Sequence, residues 1–356
     1  MINKMKEYEN NLENQAKTAL LSCLSEIPFL KVVDVYEEYR DSDIQTGLAA
    51  KIEFPEGVKH LIAEVKGSGQ PRLAREAVNQ MLRYKGRVSD VYFIFMAPYI
   101  SPKAAEICRS EGIGYIDFSG NCLLFFDKIF IQKKDYPNQF RQKRELKSLY
   151  SPKAERILRV LLSNPGKSWK IKELADESVV SLGQASNVKR ILQDRELLSG
   201  KRGGFSLEQP ASLLQEWAEN YDYRKNQIQE FYSLMSAIDI EKVFAAYCNK
   251  NKIQYALTGF SGAARIAPAV RYAKAMVYAS DIAEAAFSDL SLKAVKSGGN
   301  LLLFTPYDDG VFYGSTRIDD IQVVSKIQLY LDLQGFRGRG EEAAAVLFNR
   351  IIEKAW

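Results

Sequence analysis

Apolar residues return at helical spacing three times between residues 151 and 192: Ala154, Ile157, Leu158 and Leu161; then Ile171, Leu174 and Ala175; then Leu182, Ala185, Val188 and Leu192. Each run sits behind a serine. Ser151 precedes Pro152, whose missing N–H costs nothing in a first turn, and Ser168 and Ser181 are read as caps of the second and third helices. Asn164-Pro165-Gly166 closes the first helix, and residues 177–180 make the turn before the third. Residues 197–207 hold two short apolar segments around Ser199-Gly200-Lys201-Arg202-Gly203-Gly204, which predicts a hairpin with a basic, glycine-rich tip.

On either side the pattern alternates between the helical and strand periods. Before this block it predicts helices over 8–25, 71–84 and 101–112, with strands over 31–39, 47–54, 60–66, 91–97, 114–118 and 122–131. Segment 91–97 is almost free of polar residues and is expected in the middle of a sheet covered on both faces. After it come predicted helices over 210–223, 225–233, 238–250, 259–266, 280–290, 325–334 and 341–354. Predicted strands cover 255–257, 275–278, 300–305, 311–314 and 322–324. The expected layout is α/β and multidomain: an α/β sandwich over 1–132, a basic linker over 133–150, a helical module over 151–208 and a C-terminal α/β domain over 209–356.

Three helices followed by a basic hairpin read as a winged helix-turn-helix. On the outer face of the third helix, Ser186, Asn187 and Arg190 lie opposite the apolar stripe, flanked by Gln184 and Lys189. Such side chains hydrogen-bond base edges and phosphates. Gly183 on that face allows close backbone approach. Lys201 and Arg202 at the wing tip are placed to meet phosphate. The competing reading is a helical module used only for protein contacts.

Composition narrows the classes. With 356 residues, 46% of them hydrophobic and 26% charged, the chain has the make-up of an ordinary globular protein. A net charge of +5 is compatible with nucleic acid. Cys23, Cys108, Cys122 and Cys248 form no C-x-x-C pair and read as buried thiols in a reducing compartment. A single histidine, His60, excludes histidine-rich metal sites. No signal-peptide core or membrane-length apolar run is present, so a cytoplasmic location is expected.

The N-terminal part carries the one constellation with catalytic character. Glu64-Val65-Lys66 ends a predicted strand, which puts Glu64 and Lys66 on one face, and Gln80 and Tyr84 follow one helical turn apart. This resembles the PD-(D/E)XK nuclease fold. The resemblance implies Glu64, Lys66 and Gln80 as catalytic residues, with Glu64 holding Mg²⁺ as one of a pair of carboxylates. The family's second acid belongs on the preceding strand, where Ala49, Ala50 and Lys51 stand; Asp41, Asp43 and Glu53 are the substitutes to hand. The loop Gly67-Ser68-Gly69-Gln70 leads to a helix N-terminus bearing Arg72 and Arg75. It is either a phosphate-binding turn or a flexible one. Asp117 and Asn121 flank a turn and are expected to cap local backbone.

In the C-terminal part, strand 255–257, Thr258-Gly259-Phe260-Ser261, a helix and strand 275–278 resemble a nucleotidyltransferase core without the metal-binding carboxylates on its second strand. Arg265, Arg271 and Lys274 supply a basic face, and residues 335–340 a cationic loop. A winged helix beside such a domain resembles the AbiEi-type antitoxins of type IV toxin–antitoxin systems, carried by residues 168–205, 255–265 and 323–340. That resemblance implies an autoregulatory, sequence-specific DNA-binding regulator without a cofactor, whose partners are double-stranded DNA and a cognate toxin; self-association stays open. The alternative is a Mg²⁺-dependent DNA endonuclease targeted by its winged helix.

Overall fold

In the computed structural model the chain forms two compact units, Met1–Glu145 with Gln193–Glu196, and Leu146–Leu192 with Leu197–Trp356. The structure describes all residues except 1, 37–38, 42–43, 47, 86–89, 141–148, 202, 269–270 and 281, and describes no side chains for 2–9, 39–41, 44–46 and 201. It is a mixed α/β molecule with several sheets.

The first unit contains α1 (Ile2–Leu24), β1 (Lys31–Tyr36), the small hairpin β2 (Tyr39–Asp41) and β3 (Ile44–Thr46), then β4 (Leu48–Phe54) and β5 (Gly57–Val65). These are followed by α2 (Pro71–Tyr84), β6 (Val91–Ala97), α3 (Pro102–Ser110), β7 (Gly114–Asp117), β8 (Cys122–Phe126) and β9 (Ile129–Lys133). Seven strands form one sheet in the order β1-β4-β5-β6-β7-β8-β9. β5, β6 and β7 run parallel and the other neighbours antiparallel. The apolar β6 takes the central place expected for it, buried on both faces. On one face Ala16, Leu20 and Leu24 of α1 pack on Leu61, Ile94 and Met96. On the other, Ala74, Val78 and Ala104 of α2 and α3 pack on Ile62, Phe93 and Phe95. The predicted strand 122–131 is instead the hairpin β8–β9, turned at Asp127 with φ +49°.

The second unit begins with α4 (Pro152–Ser163), α5 (Ile171–Glu177), α6 (Leu182–Asp194) and the antiparallel hairpin β10 (Leu198–Lys201) and β11 (Gly204–Leu207). It continues through α7 (Pro210–Asn220), β12 (Gln227–Tyr232), α8 (Ala237–Asn251), β13 (Tyr255–Leu257), α9 (Gly259–Ile266), β14 (Ala275–Ala279) and α10 (Glu284–Asp289). It ends with β15 (Lys293–Val295), β16 (Leu301–Thr305), β17 (Thr316–Ile318), β18 (Ile321–Val323), α11 (Lys326–Gln334) and α12 (Arg339–Leu347). Its seven-stranded sheet has the order β15-β12-β16-β14-β13-β18-β17. One face packs on Ile240 and Phe244 of α8. The other belongs to a continuous core that runs from Leu149 to Ile352 and includes Trp169, Phe205, Trp217, Tyr278 and Leu329.

Several expected elements differ. Residues 225–233 are not an α-helix: a one-turn 3-10 segment, Tyr223–Lys225, precedes β12, which pairs on both sides with β15 and β16. Residues 311–314 are not a strand. Asp309–Phe312 is a 3-10 turn, whose first free N–H, at Gly310, is taken by Asp308. Strands β15 and β17 were not expected, and helix 280–290 shortens to α10. Ser168 is not the cap of the second helix. Lys170 holds that position, because Trp169 is drawn into a β-bridge with Phe205 and brings Ser168 against Gly204. Leu182 is not on the inner face of α6: it is 52% exposed, while Ala185, Val188, Ile191 and Leu192 are buried.

Candidate nucleic-acid interface

The outer face of α6 is assembled from the helix start onward. Ser181 Oγ accepts the Gln184 N–H at 3.2 Å and so caps the helix. One turn in, Ser186 and Arg190 stand exposed, four residues apart on one face. Arg190 Nη2 donates to Asn187 Oδ1 at 3.2 Å, which orients its guanidinium along the helix. Gln184, Asn187 and Lys189 are half-buried at the flanks. Lys189 is drawn toward the hairpin, its Nζ 4.7 Å from the Phe205 ring centre, a cation–π contact. A Cβ on Gly183 would meet nothing closer than Ser181 Oγ at 4.0 Å, so no internal contact requires glycine there. Leu182 and Val179, both exposed, edge the same surface.

The hairpin pairs Lys201 with Gly204 across a two-residue turn in which Gly203 takes φ +90°. Trp169 exchanges both backbone hydrogen bonds with Phe205, at 2.8 and 3.0 Å, adding a short third strand. A Cβ on Gly204 would lie 2.8 Å from the Trp169 carbonyl oxygen, so this approach demands glycine. The Lys201 side chain and Arg202 lie outside the described residues.

In the first unit, Glu64, Lys66 and Gln80 do converge. Lys66 Nζ is 2.7 Å from Glu64 Oε1, and Gln80 Nε2 donates to Glu64 Oε2 at 3.3 Å. Tyr84 is half-buried one turn beyond Gln80. The register then tests the missing acid. Ala49 faces Ile62 and Lys51 faces His60, while Glu53 faces Val58, six residues before Glu64. At about 3.3 Å per residue that is roughly 20 Å along the strand, too far to share an ion. Asp43 lies outside the described residues, as does the Asp41 side chain. Among the described residues no group of three or more His, Cys, Asp or Glu can hold a metal. A hard divalent cation wants several oxygen ligands, and here one carboxylate already carries an ammonium on one oxygen. Among the described residues the donor set at Glu64 does not fit Mg²⁺.

The nearby loop is fixed: Gly69 bridges Ile100, and a Cβ on it would lie 2.2 Å from the Tyr99 carbonyl oxygen. Arg72 pairs with Glu76 of its own helix at 3.1 Å, and Arg75 stands exposed on the same helix. Asp117 caps local backbone, accepting the N–H groups of Ile100, Ser119 and Asn121 and the Asn121 amide. Burial raises its pKa against those hydrogen bonds.

In the second unit, β14 carries no carboxylate. Ser261 Oγ accepts the Met276 N–H at 2.8 Å, tying the Gly259-Phe260-Ser261 turn to that strand. Arg265 is held by buried Glu241 at 3.1 Å and Lys274 by Glu230 at 2.9 Å, so the expected basic face is largely neutralised; Arg271 accepts a hydrogen bond from Arg339 at its carbonyl. Glu341 caps the start of α12 by accepting the Gly338 N–H. What sequence reasoning missed is a buried polar chain. Asp332 Oδ1 accepts Tyr221 at 2.8 Å, Tyr278 at 3.0 Å and Gln328 at 2.9 Å, and its Oδ2 accepts Thr258. Gln328 Oε1 in turn accepts two bonds from Arg159 of α4. Arg159 lies 3.7 Å from Glu155 and 5.0 Å from the Trp217 ring centre. Burial pushes Asp332 up to about 6, with its four donors pulling the other way. The one legible signal was the i, i+4 spacing of Gln328 and Asp332 within an apolar helix.

Residues 206–353 match the AbiEi_2 family, described as transcriptional regulator, AbiEi antitoxin, type IV TA system. Among curated proteins no match was found. Of the solved structures, EndoMS in apo form is 18% identical, with 29% of this chain and 45% of that one covered and a TM-score of 0.21. An EndoMS–dsDNA2 complex gives 16%, 28%, 43% and 0.20, and a repair endonuclease from Pyrococcus abyssi 15%, 28%, 46% and 0.20. The chain spans less than half the length of each, and at those scores the likeness carries no weight on activity.

Proposed function

We propose, from the AbiEi_2 domain at residues 206–353, that the chain is a transcriptional regulator of antitoxin type that binds the promoter of its own gene. Residues 151–208 act as a winged helix-turn-helix with α6 in the major groove. Residues 209–356, a nucleotidyltransferase-like domain with no carboxylate on β14, meet a cognate toxin. The observation that carries the reading is the exposed Ser186 and Arg190 pair on a capped helix, with Asn187 orienting the guanidinium. The test is a binding titration on the duplex upstream of the gene against random duplex, at several salt concentrations. Arg190→Ala removes a bidentate base contact and costs about 1–3 kcal/mol on the specific duplex, with little change on random DNA. Lys201→Ala and Arg202→Ala weaken both duplexes alike and lower the salt slope by about one unit each. No duplex binding at low salt, or an equal loss on both duplexes for Arg190→Ala, makes the module a protein-contact device instead.

The first unit, on this reading, binds but does not cut. The support is Glu64 held by Lys66 and Gln80, with Glu53 at the far end of the neighbouring strand. Incubation with plasmid or branched DNA and Mg²⁺ or Mn²⁺ should leave the DNA intact. Cleavage that Glu64→Ala abolishes would establish the nuclease reading.

A further inference from the structure

Cysteine spacing along the chain showed no pairing, yet two of the four thiols meet in space. Cys23 lies in the last turn of α1 and Cys122 is the first residue of β8, 99 positions away. Their sulfurs are 3.4 Å apart, with the Cys23 thiol donating to Cys122 Sγ. Both are part of the buried core beneath α1. Both also line a cavity of about 470 Å³, whose walls include Asn14, Thr18, Glu26, Lys133 and Phe140. Of these Asn14, Thr18, Glu26 and Phe140 are exposed, so the cavity beside the two thiols opens to solvent.

We propose that Cys23 and Cys122 are a peroxide-reactive thiol pair that closes to an intramolecular disulfide. The two sulfurs have different roles. The hydrogen bond from Cys23, together with the Lys133 charge, holds the Cys122 thiol below its usual range, whereas that same bond and burial push Cys23 up. Cys122 therefore supplies the thiolate, which is the nucleophilic form. It attacks one oxygen of hydrogen peroxide: an S–O bond forms, the O–O bond breaks, and the departing hydroxide takes up the thiol's proton as water. The sulfur of Cys23 then attacks the Cys122 sulfenic acid: the S–S bond forms, the S–O bond breaks, and the second hydroxide leaves as water with the Cys23 proton. Two thiols lose two electrons and one peroxide becomes two waters. Closing from 3.4 Å to a bond of about 2.05 Å needs a small shift at the end of α1, where the helix gives way to a turn. Burial pushes Cys108 and Cys248 up to about 12; Cys248 lines a cavity of its own of about 450 Å³, so the two are internal controls without and with a cavity beside the thiol.

The experiment treats the full chain with hydrogen peroxide, blocks the remaining thiols with N-ethylmaleimide in denaturant, and maps the peptides without reduction. The expected product is one cross-linked peptide joining Cys23 to Cys122, two hydrogens lighter than its parts, with Cys108 and Cys248 fully blocked. Cys122 should be consumed at least about ten times faster than Cys108. Cys23→Ser should instead accumulate a dimedone-reactive sulfenic acid on Cys122. The melting midpoint of the oxidised protein should rise by several degrees and return on reduction, because the bond closes a long loop. If all four thiols remain blockable after peroxide, or if Cys108 and Cys248 oxidise as readily as Cys122, the pair is only a packing contact. Should Cys23→Ser fail to fold, the wild-type peptide map decides alone.

Discussion

Val179 shows what a single residue can reveal. Its φ is +52°, and among the described non-glycine residues with positive φ it is the only β-branched one. The left-handed conformation costs such a residue about 1–2 kcal/mol, and its side chain, 69% exposed, recovers little of that in packing. Val179→Gly removes the clash but loosens the unfolded chain, so a net gain of about 0.5–1 kcal/mol is expected in urea titration. A loss of stability would mean that Val179 makes a contact of real value. At this scale the sequence was legible where the chemistry is local: Ser181 caps α6, and Ser186, Asn187 and Arg190 cluster as the helical period requires. It was not legible where a residue's role is set by a distant one. Leu182 falls outside the buried arc because Ile191 joins Ala185, Val188 and Leu192 and shifts that arc away from it. The meeting of Cys23 with Cys122 depends on how α1 crosses the sheet, which no local pattern encodes.

Among the elements, α11 carries the most unusual burden. It buries Gln328 and Asp332 on its apolar body and satisfies the carboxylate with four donors. Burial raises Asp332 from 3.8 to about 6, so the folded protein holds that proton more tightly than the unfolded chain. Between about pH 4 and 6 the folded state therefore binds more protons, and stability falls as the pH rises through that window. The loss is on the order of 3 kcal/mol, at about 1.4 kcal/mol per unit. Asp332→Asn should flatten the pH dependence in denaturant unfolding, at a constant cost of about 1–3 kcal/mol, because its amide would face donors. A wild-type curve already flat from pH 4 to 6 would refute the assignment. Elsewhere, long periodic elements were legible and short ones were not. In β12, Ile228, Phe231 and Tyr232 fit a helical period as well as a strand, and only pairing with β15 and β16 decides between them. The β17–β18 turn uses Asp319 and Asp320, both at positive φ, without the glycine that usually signals such a hairpin.

For the whole second unit, packing runs unbroken from Leu149 to Ile352, although the sequence pattern changes at the end of the hairpin. Residues 149–356 should thus unfold in a single calorimetric transition. Residues 151–208 alone should not fold, since buried Glu155 would lose Tyr307, buried Arg159 would lose Gln328 and Trp217, and Leu158 and Leu161 would lose part of their cover. Arg159→Ala in the full chain should cost about 3–5 kcal/mol, because it leaves Glu155 and Gln328 buried without their cation. A cost near zero would show that the chain of contacts is dispensable. That chain, from Glu155 through Arg159 and Gln328 to Asp332, has a thermodynamic corollary. On the proposed reading, whatever a ligand of residues 209–356 does to the poise of α4 through this chain would enter the free energy of duplex binding as a coupling factor. Linkage makes that factor reciprocal: if the ligand weakens duplex binding tenfold, the duplex weakens the ligand's binding tenfold. The two titrations, each run with and without the other component, must return one number.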